Sequence, residues 1–217
     1  MSATLYYFDG RGKAEIARLT MAAANIPFNH ETIREKKQFE TMKSEGKLLF
    51  GQLPMVEFEG HQLVQSSSIA RFFANRANLL GSNEEEKLKI DILFEGSRDF
   101  NSAFMSYGFV GFTEVLDKAK ATAMPKYLPI FNSMLSKNGS NGYLVGSKIS
   151  LADIGLLEVV LTIEELLGQD ELKPYAEVQN FLTTMKSNEL IHKYLNSKLR
   201  PRKNDEKYVA EVKSVLY

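Results

Sequence analysis

Residues 51–72, GQLPMVEFEGHQLVQSSSIARF, contain a hairpin and the start of a helix. Val56 and Phe58 alternate with Glu57 and Glu59, so one side of the run is apolar and the other charged, the period-two signature of a strand. Gly60 supplies the turn, and Leu63 and Val64 continue a return strand. Ser66, Ser67 and Ser68 stand where a helix N-cap belongs, before IARFFANRANLL.

Upstream, Ala3 to Phe8 is a β-branched and aromatic run that ends at the turn signal Asp9-Gly10. A helix is predicted from Gly12 to Ala24, with Ile16, Ala17, Thr20 and Ala24 on one face and a stop at Asn25 and Pro27. Phe28 to Ile33 reads as a second strand, and the charged stretch Glu35 to Glu45 as a short helix or exposed loop. The order βαβ, connector, ββα is the thioredoxin-like topology, a small mixed sheet with helices against it. The redox pair usual in that topology would lie at the end of the first strand, where Tyr7-Phe8-Asp9-Gly10 stands instead.

Beyond residue 81 the pattern turns helical, which predicts an α/β domain over 1–81 and an all-helical domain over 82–217. Leu88, Ile92, Leu93, Gly96, Phe100, Ala103, Phe104 and Tyr107 are expected on the buried face of the first long helix. Further helices are expected at about 115–137, 150–167, 174–186 and 189–196. A basic linker from Lys198 to Asn204 with a solvated Lys198, Arg200, Arg202 and Lys203 cluster follows, then a last amphipathic helix carrying Val209, Val212 and Leu216. That helix is expected to be attached only through its own apolar face. Ser150 and Asp153 fit a helix-start capping arrangement, read as folding machinery.

Composition narrows the chemistry. The chain has 217 residues, with 27 Lys and Arg against 27 Asp and Glu, 44% hydrophobic content and neither cysteine nor tryptophan. Without cysteine there is no disulfide, thiolate metal site or cysteine nucleophile. His30, His61 and His192 share no ligand spacing, so no metal is expected. Zero net charge gives no bulk attraction to nucleic acid, and no apolar run approaches the ~20 residues of a membrane span. The start MSATLYYFDG carries neither a basic nor a long apolar region, which points to a cytoplasmic location.

Four segments, LYYFDGRGKAEIAR (5–18), LLFGQLPMVEFEG (48–60), LVQSSSIARF (63–72) and YLVGSKISLADI (143–154), together resemble the cytosolic glutathione transferases. The likeness spans the chain from Leu5 to the last helix and is to the tyrosine-type classes. LVGSKIS, DEKYVAEVKSVL and the absence of tryptophan lie nearest alpha, whereas RGKAEIAR and QSSSIAR are sigma-like.

The resemblance implies a homodimeric enzyme that conjugates glutathione to hydrophobic electrophiles in detoxification, with a possible peroxidase side activity. It implies that Tyr7 is catalytic, its phenol donating to the glutathione sulfur. Lowering a thiol pKa of ~8.5 by about two units needs roughly 2.7 kcal/mol, within reach of a charge-assisted hydrogen bond in a dry site. Tyr6 must face the other side of the sheet. Arg11 matches a structural Arg of the motif. Lys13 and Lys43 stand where the alpha enzymes carry Arg, so the charge is kept and the planar fork lost; Lys13 can equally be a solvated lysine at a helix start. Gln52, Leu53 and Pro54 are expected to hold the cysteinyl part of glutathione, through backbone groups aimed outward by a cis Leu53-Pro54 bond. Gln65 and Ser66 at a helix start suit the γ-glutamyl carboxylate, and Asp99 matches an acid that reaches the neighbouring subunit's glutathione. Phe50 matches an aromatic dimer key. Phe8, Gly10, Met105, Phe109, Val209, Val212 and Leu216 are expected to form the electrophile pocket. Two alternatives are a non-catalytic ligand-binding member of the fold and a glutathione-dependent prostaglandin or steroid isomerase.

Overall fold

The computed structural model describes residues 1–217. Strand β1 (Ala3–Tyr7) is the hub of a four-stranded sheet of order β2-β1-β3-β4. It runs parallel to β2 (Phe28–Thr32) and antiparallel to β3 (Met55–Phe58), which forms the hairpin with β4 (His61–Val64). Alternation along β1 buries Ala3, Leu5 and Tyr7, while Tyr6 turns to the other face and donates to Glu57 at 2.9 Å. This is the thioredoxin-like arrangement, and its first crossover is a 3-10 turn (Gly12–Ala14) leading into α1 (Glu15–Ala23). The charged connector is a helix, α2 (Lys36–Ser44), closed by a reciprocal capping box between Glu35 and Gln38. The sheet half ends with α3 (Ser66–Arg76), packed on α1.

The rest is helical: α4 (Glu84–Ser102), α5 (Tyr107–Val110), α6 (Phe112–Lys118), α7 (Met124–Lys137), α8 (Leu151–Leu167), α9 (Ala176–Ser187), α10 (Glu189–Leu195) and α11 (Glu206–Leu216). A π turn at Ala119–Ala123 joins α6 to α7, and the short α5 is an element that periodicity does not reveal. No helix is long and apolar enough to cross a membrane.

The buried stripe of α4 differs from the expected one. It consists of Ile90, Leu93, Phe94, Ser97, Phe100 and Asn101, whereas Leu88 and Ile92 are 63% and 60% exposed. The reason lies in the partner helix: α4 crosses α8 at Gly155, where an added Cβ would stand 2.1 Å from Ser97 Oγ and 3.0 Å from the Phe94 ring. A close crossing needs a small residue on each helix, so the stripe containing Ser97 turns inward. Arg98 pairs with the buried Glu158 beside that crossing.

Helix α8 is buried almost all round, from Leu151 to Leu161, and so runs through the middle of the helical half. Its start is fixed by Ser150 and Asp153. Asp153 Oδ2 accepts from the Ser150 N–H and hydroxyl, both at 2.7 Å, and Oδ1 accepts from the Leu144 N–H at 2.8 Å. Burial pushes the Asp153 carboxyl up to about 6, against the lowering effect of these donors. Replacing Asp153 by Ala strands two buried backbone N–H groups, at about 1–3 kcal/mol each. A drop in unfolding free energy of roughly 2–5 kcal/mol is expected in a urea titration of D153A; a loss below about 0.5 kcal/mol would show that the cap is dispensable.

Candidate functional site

Helix α11 closes over the edge of the sheet half and leaves a cavity of about 240 Å³ beneath it. The sheet half contributes Tyr7, Phe8, Gly12, Lys13, Phe39, Gly51, Gln52 and Leu53 to its wall. The helical half contributes Met105, Phe109, Asn204, Tyr208, Val212 and Leu216. Nine of the fourteen lining residues are hydrophobic, and the hydroxyls of Tyr7 and Tyr208, the amides of Gln52 and Asn204 and the Lys13 ammonium supply its polar contacts.

Tyr7 is placed here by strand alternation and by the turn that follows it. Its Oη accepts the Lys13 backbone N–H at 2.9 Å and lies 3.3 Å from the Tyr208 hydroxyl. Burial pushes the Tyr7 phenol up, only partly offset by those two hydrogen bonds and by Arg18; Tyr208 is raised by burial too, and further by Tyr7. Both phenols therefore keep their protons at neutral pH and serve as donors. Because the Lys13 N–H already occupies the Tyr7 oxygen, the Tyr7 hydrogen is left to point into the cavity or at Tyr208.

Behind this pair lies Arg18, with no exposed surface. Its guanidinium donates to the Gly10 carbonyl at 3.1 Å, to the Arg11 carbonyl at 3.2 Å and to Glu15 at 3.2 Å, and sits 5.8 Å from the centre of the Tyr7 ring. Glu15 also accepts from the Tyr194 hydroxyl at 2.9 Å. Arg11 pairs with Glu165 and donates through Nε to the Pro201 carbonyl at 3.1 Å, a structural position.

The linker is not solvated as a whole. Arg200 bonds Glu165 at 2.8 Å and approaches Glu15 at 3.4 Å, while Arg202 Nε donates to the Asp9 carbonyl at 3.1 Å. Of the four basic residues, only Lys198 and Lys203 are exposed. Asn204 Oδ1 accepts the Gly12 N–H at 3.0 Å. So α11 is held by its lead-in segment as well as by its buried residues Tyr208, Val209, Val212 and Val215. The excess positive charge that reads as a solvent-facing patch in sequence meets carboxylates and carbonyls from three other segments.

Tyr7, Phe8, Lys13, Gln52, Leu53, Met105, Phe109, Val212 and Leu216 come together at the cavity. Gly10 and Val209 do not line it. Gly10 lies under the Tyr208 ring, where a Cβ would meet Cδ2 at 2.2 Å, and Val209 packs on Gly108. Both allow close contact between α11 and its supports. The Leu53-Pro54 bond is cis. Lys43 does not line the cavity; it pairs with Glu40 at 2.8 Å and sits 4.9 Å from the centre of the ring of Phe39, which does. Ser66 is the first helical residue of α3, not its cap; Gln65 holds the cap position at φ 69° with no side-chain capping bond. Asp99 lies exposed on the Leu88 and Ile92 stripe of α4, and Phe50 is 60% exposed beside the cavity's Gly51.

Tyr208, Asn204, Gly12, Gly51 and Phe39 line the cavity but are absent from the expected set. Tyr208 shares the apolar i, i+4, i+7 stripe with Val212 and Val215, a spacing that marks it as inward-facing. Nothing in the spacing marks Asn204.

Two family models match the chain. That described as "Glutathione S-transferase, N-terminal domain" covers residues 3–75, and "Glutathione S-transferase, C-terminal domain" covers residues 98–198. The fold and site thus define a two-domain enzyme of thioredoxin-like and helical halves. The chain belongs to the glutathione S-transferase family. It is 34% identical to the rat protein named glutathione S-transferase alpha-4, over 98% of this chain and 96% of that one. Among solved structures it is similar to the Onchocerca volvulus Pi-class glutathione S-transferase, with TM-score 0.80, 32% identity and coverage of 90% and 92%. It is also similar to prostaglandin synthase D of Nilaparvata lugens, with TM-score 0.76, 27% identity and coverage of 93% and 100%.

Gly12 tests how tightly the site is built. Its φ of +40° and a Cβ that would stand 2.3 Å from Tyr7 Oη and 2.5 Å from Tyr208 Oη both oppose a side chain. Gly12→Ala is expected to lower stability by about 2–4 kcal/mol, read as a lower urea midpoint; an unchanged midpoint would mean that the turn relaxes freely.

Proposed function

We propose that the chain binds glutathione along the rim of the sheet half, residues 1–81, and takes hydrophobic electrophiles in a pocket supplied mainly by the helical half, residues 82–217. Tyr7 donates to the glutathione sulfur and favours thiolate over thiol. The observation that carries this reading is a buried Tyr7 hydroxyl in the cavity wall, its oxygen already engaged by a backbone N–H at 2.9 Å. With no cysteine in the chain, the reactive sulfur arrives with the substrate. The thiolate attacks an electrophilic carbon, or in a side reaction the oxygen of a hydroperoxide.

Gln52 and Leu53 stand beside Tyr7 to hold the cysteinyl portion, with Pro54 next in the chain. The backbone N–H groups at the start of α3, around Gln65 and Ser66, suit the γ-glutamyl carboxylate. Lys13 and Lys43 offer positive charge to the tripeptide, Lys43 toward the glycyl carboxylate. Phe8, Met105, Phe109, Val212 and Leu216 form the apolar side that receives the electrophile.

The active form is a homodimer working in the cytoplasm. Leu88, Ile92 and Asp99 share one exposed stripe of α4, which supports a partner there and a role for Asp99 toward the partner's glutathione. Phe50, exposed and bordering the glutathione rim, is the dimer key. A second reading, a glutathione-dependent isomerase of prostaglandin-like substrates, draws support from the similarity to the Nilaparvata lugens prostaglandin synthase. It uses the same Tyr7 chemistry and differs in pocket shape.

Conjugation of glutathione to a chromogenic aryl halide should fall by about 10- to 100-fold in Tyr7→Phe at neutral pH, the factor expected for one to two units of thiol pKa. Equal rates in the two proteins would sink the assignment. Sedimentation of Phe50→Ala should shift mass toward the monomer at micromolar concentration, and a mutant that sediments like wild type would rule out Phe50 as the key.

A further inference from the structure

The turn between β1 and α1 carries two consecutive backbone donors that point at two different side chains. The Gly12 N–H reaches Asn204 Oδ1 at 3.0 Å, and the Lys13 N–H reaches Tyr7 Oη at 2.9 Å. These donors belong to the two peptide planes that flank the Gly12 Cα, so their directions are coupled through the torsions of one residue. Gly12 sits at φ +40°, in the left-handed region where glycine is the favoured residue. Rotating the first N–H away from its acceptor would swing the second away from Tyr7.

The acceptor comes from far along the chain, 192 residues downstream, in the segment just ahead of α11. Asn204 is buried and borders the cavity. We propose that Asn204 is a positioning residue: by accepting the Gly12 N–H, it holds the Lys13 N–H on the Tyr7 oxygen. A hydrogen bond accepted by the phenol oxygen polarises its O–H and strengthens it as a donor to the thiolate. The inference rests on the assignment of Tyr7 as the thiol-activating group.

Other groups face Tyr7 without touching the Gly12 N–H. They are Arg18 from α1 at 5.8 Å from the ring centre, Tyr208 from α11 at 3.3 Å, Glu158 from α8 at longer range, and His30 from β2 beside its backbone. The Lys13 ammonium lies on the same turn. These charges stay in place when Asn204 is changed, so a shift in thiol ionisation on its removal isolates the turn.

A staple that merely holds α11 down would act differently. Arg202 provides the comparison, because its Nε ties the same segment to the Asp9 carbonyl at 3.1 Å and leaves Gly12 alone. The measurement is the ultraviolet thiolate absorbance of bound glutathione against pH, with the pH profile of kcat/KM, for wild type, Asn204→Ala, Asn204→Leu and Arg202→Ala. Leucine fills the space of Asn204 without an acceptor and guards against local collapse in the alanine variant.

Both Asn204 variants are expected to raise the bound thiol's pKa by about half to one unit. At neutral pH this lowers kcat about three- to tenfold, with KM for glutathione within about twofold of wild type. Arg202→Ala should titrate with wild type. Superimposed titrations for wild type and the Asn204 variants would overturn the proposal, as would an equal shift in Arg202→Ala. If wild type itself shows no thiolate below the free thiol pKa, the Tyr7 assignment fails, and this inference fails with it.

Discussion

Arg18 is a guanidinium with no exposed surface, and a buried charge is costly unless it is paired and hydrogen-bonded; its two terminal nitrogens find acceptors, while Nε has none. The acceptors are the carbonyls of Gly10 and Arg11 and the carboxylate of Glu15. Those carbonyls belong to the turn that leaves β1, so satisfying the charge dictates the path of that turn. The path in turn sets Gly12 and Lys13 against the Tyr7 oxygen. Glu15 extends the constraint outward, since it also takes the Tyr194 hydroxyl of α10 and faces Arg200 of the linker.

The same logic joins the two halves. Arg11 to Glu165, Arg200 to Glu15 and Arg202 to the Asp9 carbonyl cross between the sheet half and the helical half or its tail, while Arg200 to Glu165 ties the linker to α8. Ion pairs shielded from water keep much of their attraction, but they are costly to leave half-made. Each such bond therefore acts more as a specification of geometry than as a large net gain in stability. The cavity wall draws on segments of both halves, and the linker that these bonds hold contributes Asn204 to it.

Much of the sheet half was legible along the chain. The hairpin at Val56 to Val64, the stop at Asn25 and Pro27 and the alternation through Tyr7 are local signals, set by backbone sterics and strand period. The Ser150 and Asp153 arrangement was legible for the same reason. Where two stripes of one helix are both apolar, local pattern does not choose. In α4 the stripe with Leu88 and Ile92 was favoured by hydrophobicity, yet the stripe with Ser97 is the one that fits against Gly155. The resemblance puts Gly10 and Val209 in the pocket lining, whereas one supports the Tyr208 ring and the other packs on Gly108.

From the residues alone came the family resemblance, the absence of any protein thiol and the location of Tyr7 at the end of a strand, on the face opposite Tyr6. These follow from residue identity and from periods of two and 3.6, which are properties of neighbouring positions. The tertiary structure alone decided that Tyr208 faces Tyr7, that Arg18 underlies the turn and that Asn204 takes the Gly12 N–H. Each of these is a meeting of groups whose need for a partner is visible in the sequence. Which partner each one meets is set by how α8, the linker and α11 pack against the sheet.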